Sequence, residues 1–444
     1  MTKIHTKINL IVLIGIAFFI TFGLNALKST PTSPNSTAIG SNMRIAAAQV
    51  NYTSDFINTW GGIDSDTGWD IALDDSGNIY ISGSTESFGA GKDDAFIAKF
   101  DSSGNSILNI TWGGSGIDAG TGIVLDDSGN IYITGATNSS GTGNFDAFIA
   151  KFNSTGHSLL NITWGGNDAD GGYDILLDDS GNIFITGYTE SFGAGDNDAF
   201  IAKFNSTGHS LLNVTWGGSD SDDGYSIALD ALGNIYIAGS TWSFGIDAFI
   251  AKFNSSGHSL LNITWSGGDA QFGWDMALDG SGNIYITGYV YGFGNLAQAF
   301  IVKFNNTGHL KMEIIWGGNN YDVGFGIALD GSGNIYITGT TDSFGAGGYD
   351  LFIAKFNSTG HSLLNTTLGG IDDDWGKGIA LDNYGNIFIT GYTESFGAGS
   401  HDTIIAKYRQ ISDNDSGSIP GYDLLFLIGF LGLSLVLLTK KYIK

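Results

Sequence analysis

The side chains of this sequence that could do chemistry are mostly oxygen ligands. Of 44 acidic residues only Glu86, Glu190, Glu313 and Glu394 are glutamates, and the rest are aspartates. Cysteine is absent, which removes thiolate nucleophiles, Cys-based metal sites and disulfides. The aspartates gather beside glycines at recurring places: Asp64 and Asp66; Asp118; Asp168 and Asp170; Asp220, Asp222 and Asp223; Asp269; Asp322; and Asp372, Asp373 and Asp374. Carboxylates at alternate positions suit Ca²⁺, which takes about six to eight oxygen ligands. The same residues also simply make turns and keep a protein soluble. No segment carries the spaced acids and closing glutamate of an EF-hand, so the turn-forming reading is the stronger. Ca²⁺ is the one cofactor the sequence puts forward.

His157, His209, His258, His309 and His361 resemble a metal cluster only as a tally. They recur at one position of a repeating unit, so they are spread over separate copies, far beyond the roughly 2 Å reach of a ligand sphere. Asn-X-Ser/Thr sequons number fourteen, including Asn109, Asn153, Asn161, Asn205, Asn213, Asn254, Asn262, Asn305, Asn357 and Asn365. They are N-glycosylation candidates if the chain leaves the cytoplasm.

The elements that position these residues are written in a repeat. Gly-Asn-Ile-(Tyr/Phe)-Ile begins at Gly77, Gly129, Gly181, Gly233, Gly282, Gly333 and Gly385. Phe-Ile-Ala-Lys-Phe or a close variant places lysines at 99, 151, 203, 252, 303, 355 and 407. A third phrase aligns Trp60, Trp112, Trp164, Trp216, Trp265, Trp316 and Leu368, at spacings of 52, 52, 52, 49, 51 and 52 residues. Each copy reads as four strands, typified by A at 69–73, B at 78–82, C at 95–100 and D at 107–112, joined by Asp-Ser-Gly-Asn and Asn-Ser-Thr-Gly turns. Strand B alternates with period two and is rich in β-formers. Four short strands per copy, seven times over, predict an all-β, seven-bladed β-propeller. Phe56 to Trp60 is a D strand without its A, B and C, and the last copy lacks a D. The opening strand therefore closes the last blade and removes exposed edges.

These phrases, Gly-Asn-Ile-Tyr-Ile-Thr-Gly, Asp-Ala-Phe-Ile-Ala-Lys-Phe and a closing Trp-Gly-Gly, resemble the SBBP-type β-propeller repeats of prokaryotic surface and secreted proteins. The resemblance covers roughly residues 55–410 and implies the fold and a surface location, with no catalytic residue. Ser418-Ile-Pro-Gly-Tyr422, followed by an apolar run and lysines, looks like the C-terminal sorting segment of archaeal surface proteins.

The ends add a membrane expectation. Lys3 and Lys7 precede an apolar run from Leu10 to Leu24, which reads as a signal peptide or signal anchor over 1–27, followed by a polar linker over 28–54. A second run, Leu424 to Leu438, ends in Thr439-Lys440-Lys441. Its helical length is about 22 Å, somewhat short of a bilayer core, and flanking tyrosines and lysines extend its reach. A linker over 411–419 and a transmembrane or sorting segment over 420–444 follow the propeller, read as 55–410. The positive-inside rule puts both basic ends in the cytoplasm and the propeller outside. The net charge of -26 repels nucleic acid and excludes it as a partner.

With strand A innermost, D–A and B–C loops share one face. Gly83 to Phe96 spans 13 residues, but Gly239 to Phe249 spans 10 and Gly288 to Phe300 spans 12, so all length variation falls in the B–C loops. Variable loops beside acidic ones make this the binding face. The reading that results is a monomeric, membrane-anchored surface module for adhesion, recognition or scaffolding, with an extracellular glycan or protein as ligand. The competing reading is a glycan hydrolase or lyase, in which Asp70, Asp174 and Asp275 at the start of strand A line the central channel.

Overall fold

The computed structural model describes residues 52–267, 270–292 and 296–410; the expected signal segment, the C-terminal linker and sorting segment, and the first linker up to residue 51 lie outside them, whereas residues 52–54 of that linker are strand. Among the described residues no helix is long and apolar enough to cross a membrane. The same residues hold 28 strands in seven antiparallel sheets of four. Blade 1 runs outward through β2 (Asp66–Leu73), β3 (Ile79–Thr85), β4 (Asp94–Phe100) and β5 (Ser106–Trp112). Strand A of every blade touches strand A of the blades before and after it, so seven A strands circle one axis. The chain is a seven-bladed β-propeller.

The ring closes as its repeat phase demands. β1 (Tyr52–Trp60) pairs antiparallel with β28 (Asp402–Gln410), from Tyr52 opposite Gln410 to Trp60 opposite Thr403. This gives the last blade its fourth strand and leaves blades 7 and 1 packed like any other pair. The apolar core is correspondingly divided into seven clusters, each held between two consecutive blades.

That division explains the burial of strand B. A period-two pattern ordinarily marks a half-buried strand, but Ile79 to Gly83 are all buried, and the same holds in every blade. Each blade is sandwiched between two others, so both faces of strands B and C leave water. Only strand D, on the circumference, keeps the alternation of a half-exposed strand.

Turn chemistry follows residue type. The A–B turn needs a left-handed residue, supplied by Gly77 at φ 75°, while Asp74 Oδ1 accepts the N–H groups of Ser76 and Asn78 at 3.0 and 2.9 Å. In the C–D turn Asn153 Oδ1 accepts from Thr155 and His157 N–H in the same way. The five histidines follow these turns in five different blades. Close blade contact also requires glycine at Gly68, where a Cβ would strike the Thr390 and Thr403 side chains of blade 7.

The rim is tied by copied pairs. The Trp112 ring stacks on Phe148 of the next blade at 4.0 Å, and its Nε1–H donates to Asn161 Oδ1 at 2.9 Å. Lys151 Nζ sits 4.6 Å from the Tyr132 ring centre and 3.7 Å from Asp126 Oδ2. The sequon asparagines Asn161, Asn213, Asn262 and Asn365 therefore already serve as acceptors for an indole of the preceding blade.

Candidate functional site: the axial channel and its mouth

The acidic pairs of the loop face split into two groups. Asp66, the first residue of β2, is fully buried. Its Oδ1 accepts from Thr85 Oγ1, and its Oδ2 accepts from Ser87 Oγ and Gly62 N–H at 2.7 Å each. Asp118, Asp170, Asp322 and Asp374 repeat this latch, and Asp222 keeps its Ser243 and Gly218 bonds. The expectation that both members of each pair project from the D–A loop is thus corrected for Asp66, Asp170, Asp222 and Asp374. A buried carboxylate must find donors, and these fasten the loop to strand B. Asp64, Asp168, Asp220 and Asp372 stay in the loops, each donating its backbone N–H to the latch serine. Asp223 Oδ1 accepts from Asn197 Nδ2 at 3.1 Å, and burial pushes its carboxyl up to about 6. Asp373 Oδ1 accepts the Tyr349 N–H at 2.9 Å. Among the described residues no three His, Cys, Asp or Glu side chains converge as a metal site would require.

At the axis the copies diverge. In every blade the pairing of strands A and B slips by one residue, as between Gly68 and Asp70. A bulge of this kind re-aims side chains. The unpaired residues are Trp69, Thr121, Tyr173, Tyr225, Trp274, Phe325 and Lys377, all half-buried. They meet around the axis as a collar. Tyr173 contacts Tyr225 at 4.8 Å, Tyr225 contacts Trp274 at 4.4 Å, and Trp274 contacts Phe325 at 5.3 Å between ring centres. Lys377 extends the series, with its Nζ 3.5 Å from the Phe325 ring centre and 4.9 Å from that of Trp69.

One residue further along each strand lies a second tier: Asp70, Gly122, Asp174, Ser226, Asp275, Gly326 and Gly378. Asp70, Asp174 and Asp275 are thus brought to one level of the channel. Each reaches into the next blade, accepting the N–H of Ile123, Ile227 and Ile327 at 2.9, 2.8 and 2.8 Å. Each also accepts the N–H that follows it in its own strand. Ser226 Oγ donates toward Asp174 and Asp275 at 3.3 and 2.9 Å. Burial pushes Asp70 up to about 7, against the backbone donors, and Asp174 up to about 8, with the Asp70 charge adding to it; burial raises Asp275 as well. Carboxyls tuned to this range can exchange protons at neutral pH.

Toward the D–A and B–C loops the channel opens into a lopsided mouth. From Trp375 an arc of rings runs through Tyr349 at 5.5 Å, Tyr321 at 5.7 Å, Tyr289 at 6.2 Å and Phe272 at 4.8 Å to Trp242 at 6.3 Å. In the other direction Trp375 stacks on Tyr392 at 5.7 Å, beside His401, whose Nε2 is 2.8 Å from Glu394 Oε1. Trp242 comes from the shortened B–C loop of blade 4 and is 49% exposed, so this ring is available to a partner. At the positions of Trp375 and Tyr392, blades 1 and 2 present only Thr67, Ser84, Ala119 and Ala136.

None of the collar aromatics, nor Lys377, stands out by residue type in the sequence. The usable signal was positional: the residue after the copied strand-A glycine, two before the Ile-Ala-Leu position, varies from blade to blade. The bulge that turns it to the axis is invisible in a period-two pattern.

Fold and site together define a propeller whose copied rim surrounds a diverged axis. The model of the SBBP beta-propeller repeat matches residues 211–245, 315–345 and 366–396. No curated protein matches the chain. Among solved structures, the Pan2 WD40 domain of Neurospora crassa aligns with a TM-score of 0.48 and 8% identity, over 82% of this chain and 96% of that one. An ulvan lyase, a polysaccharide lyase, aligns with a TM-score of 0.49 and 15% identity over 78% and 95%. A gluconolactonase of Xanthomonas campestris aligns with a TM-score of 0.38 and 12% identity over 85% and 99%. At these scores the similarities carry nothing about the site.

Proposed function

We propose that the protein is an extracellular, membrane-tethered recognition module that holds a glycan at the axial mouth. The observation that carries this reading is the asymmetry of the arc: a repeat copied almost verbatim at the rim has acquired a continuous arc of touching, half-exposed aromatics running from blade 4 to blade 7. Aromatic faces give a sugar ring a flat apolar platform, and Asp223, Asp373 and the Glu394–His401 pair supply hydrogen bonds at its edge. Location outside the membrane rests on the basic-flanked apolar runs at 10–24 and 424–438.

The test is a glycan array followed by titration of the full-length chain. Trp375→Ala and Phe272→Ala are expected to weaken binding about tenfold or more, whereas Trp112→Ala on the rim leaves affinity unchanged. Equal affinity for native protein and Trp375→Ala contradicts recognition at the mouth. Protease protection of the propeller in intact cells contradicts the outward location.

A second reading, hydrolysis or elimination on a glycan, has the raised carboxyls of Asp70 and Asp174 in its favour. It expects time-dependent release of reducing ends that Asp174→Asn abolishes. Binding without product release contradicts it.

A further inference from the structure

Lys377 occupies the collar position where five other blades place an aromatic ring. Its Nζ lies 3.5 Å from the ring centre of Phe325, 4.7 Å from that of Trp375 and 4.9 Å from that of Trp69. The acidic groups on the neighbouring elements are all engaged elsewhere. On β2, Asp66 holds Thr85 and Ser87, and Asp70 holds the N–H groups of Ile71 and Ile123. On strand A of blade 6 (Asp322–Leu329), Asp322 holds Thr341 and Ser343. On its own strand, β26 (Asp374–Leu381), Asp374 holds Thr393 and Ser395; just before it Asp373 takes the Tyr349 N–H. Tyr392 of strand B in the same blade lies flat on Trp375.

Two further donors nearby lack an acceptor: the indole N–H groups of Trp375 and Trp274 are buried and make no hydrogen bond among the described residues. Ammonium and indole groups only donate. The collar therefore offers this one cation ring faces but no counter-charge.

We infer that Lys377 is the anion-recognition point of the axial site, and that the glycan it takes is acidic, bearing a carboxylate or sulfate. This rests on the glycan reading above and narrows its ligand class. The negative charge of the loop face does not forbid it, because salt screens charges farther apart than about 8 Å at physiological ionic strength, whereas an anion in contact with Lys377 is hardly screened. Burial pushes the lysine down to about 7. An arriving anion favours its protonated form, so binding takes up a proton and weakens as pH rises above that value.

The experiment compares tetragalacturonate, its methyl ester and a sulfated galactan tetrasaccharide on the full-length chain by calorimetry at pH 6 and pH 8.5. The expected result is at least one of the two anionic sugars bound about tenfold tighter than the ester at pH 6, the preference shrinking at pH 8.5. Which anionic sugar binds separates carboxylate from sulfate. Lys377→Met is expected to erase the preference and Lys377→Arg to keep it without the pH dependence, since arginine holds its charge. If the ester binds as well as both anions, this inference falls while glycan recognition stands. If Lys377→Met keeps the preference, the anion is read elsewhere and the inference falls as well. If glycans bind nowhere, both fall.

Discussion

Rim and axis differ in how they use the same repeat. On the circumference each blade makes the same bonds as the last: a tryptophan on the next blade's phenylalanine at 4.0 Å in both Trp112–Phe148 and Trp164–Phe200, and an indole N–H on the next blade's asparagine. At the axis equivalent positions hold Trp69, Thr121, Tyr173, Tyr225, Trp274, Phe325 and Lys377, no two of which make the same contacts. Rim contacts are required of every copy because each blade is a wall for two neighbours. Axial side chains face water and one another, so a substitution there leaves the walls intact. What was free to change did change, mainly on blades 3–7. Specific recognition is therefore sought where the repeat departs from itself.

The largest effect should come from the copied walls. Phe148→Ala removes a fully buried ring and is expected to cost about 3–5 kcal/mol of unfolding free energy. Phe200→Ala should cost the same within about 0.5 kcal/mol. Clearly unequal losses in chemical denaturation would break the idea of an energetically uniform rim.

Next come the latches. Asp170→Ala leaves Thr189, Ser191 and the Gly166 N–H without their acceptor, and about 2–3 kcal/mol should be lost. A loss below about 0.5 kcal/mol would show that water replaces the carboxylate.

The axis sets a pH signature that the rim does not. Asp70 and Asp174 titrate at about 7 and about 8 rather than the ordinary 3.8, so their stabilising contribution is full below pH 3.8 and is lost as pH climbs through 7 to 8. Lys377 titrates at about 7 rather than 10.5, so its contribution is full above pH 10.5 and is lost as pH falls through 7. Together they predict a trough in Tm near pH 7–8. Asp174→Asn should lift the acidic side of that trough and Lys377→Met the basic side. A flat profile, or one that neither variant alters, would detach the pH response from the axis.

The smallest effect sharpens the comparison at the surface. Asn161→Ala removes the acceptor of one exposed indole N–H and should cost about 0.5–1 kcal/mol, with glycan affinity unchanged. A change in affinity would connect rim and axis.

Much of this was legible beforehand, for identifiable reasons. Seven copies of the Gly-Asn-Ile phrase, with a strand D ahead of the first and none after the last, dictate both blade number and the closure of β1 on β28. Asp70, Asp174 and Asp275 were readable as channel residues because they belong to the innermost strand, although that strand begins four or five residues before them, at Asp66, Asp170 and Ala270. Two things were hidden. Asp66 and its equivalents look like loop carboxylates, since nothing in the D–A segment announces that Thr85 and Ser87, on the far side of a hairpin, will bury them. The collar was hidden because the bulge adds one unpaired residue per blade, and Lys377 reads as one more lysine until three rings surround it.

The most direct test of recognition at the axis is hydrogen exchange on the full-length chain with and without a bound oligosaccharide. Protection is expected in the inner strands Asp170–Leu177, Asp222–Leu229, Ala270–Leu278, Asp322–Leu329 and Asp374–Leu381 and in the loops that lead into them, with blades 1 and 2 little affected. Protection confined to the outer strands, or to the A–B and C–D turns of the opposite face, would contradict it.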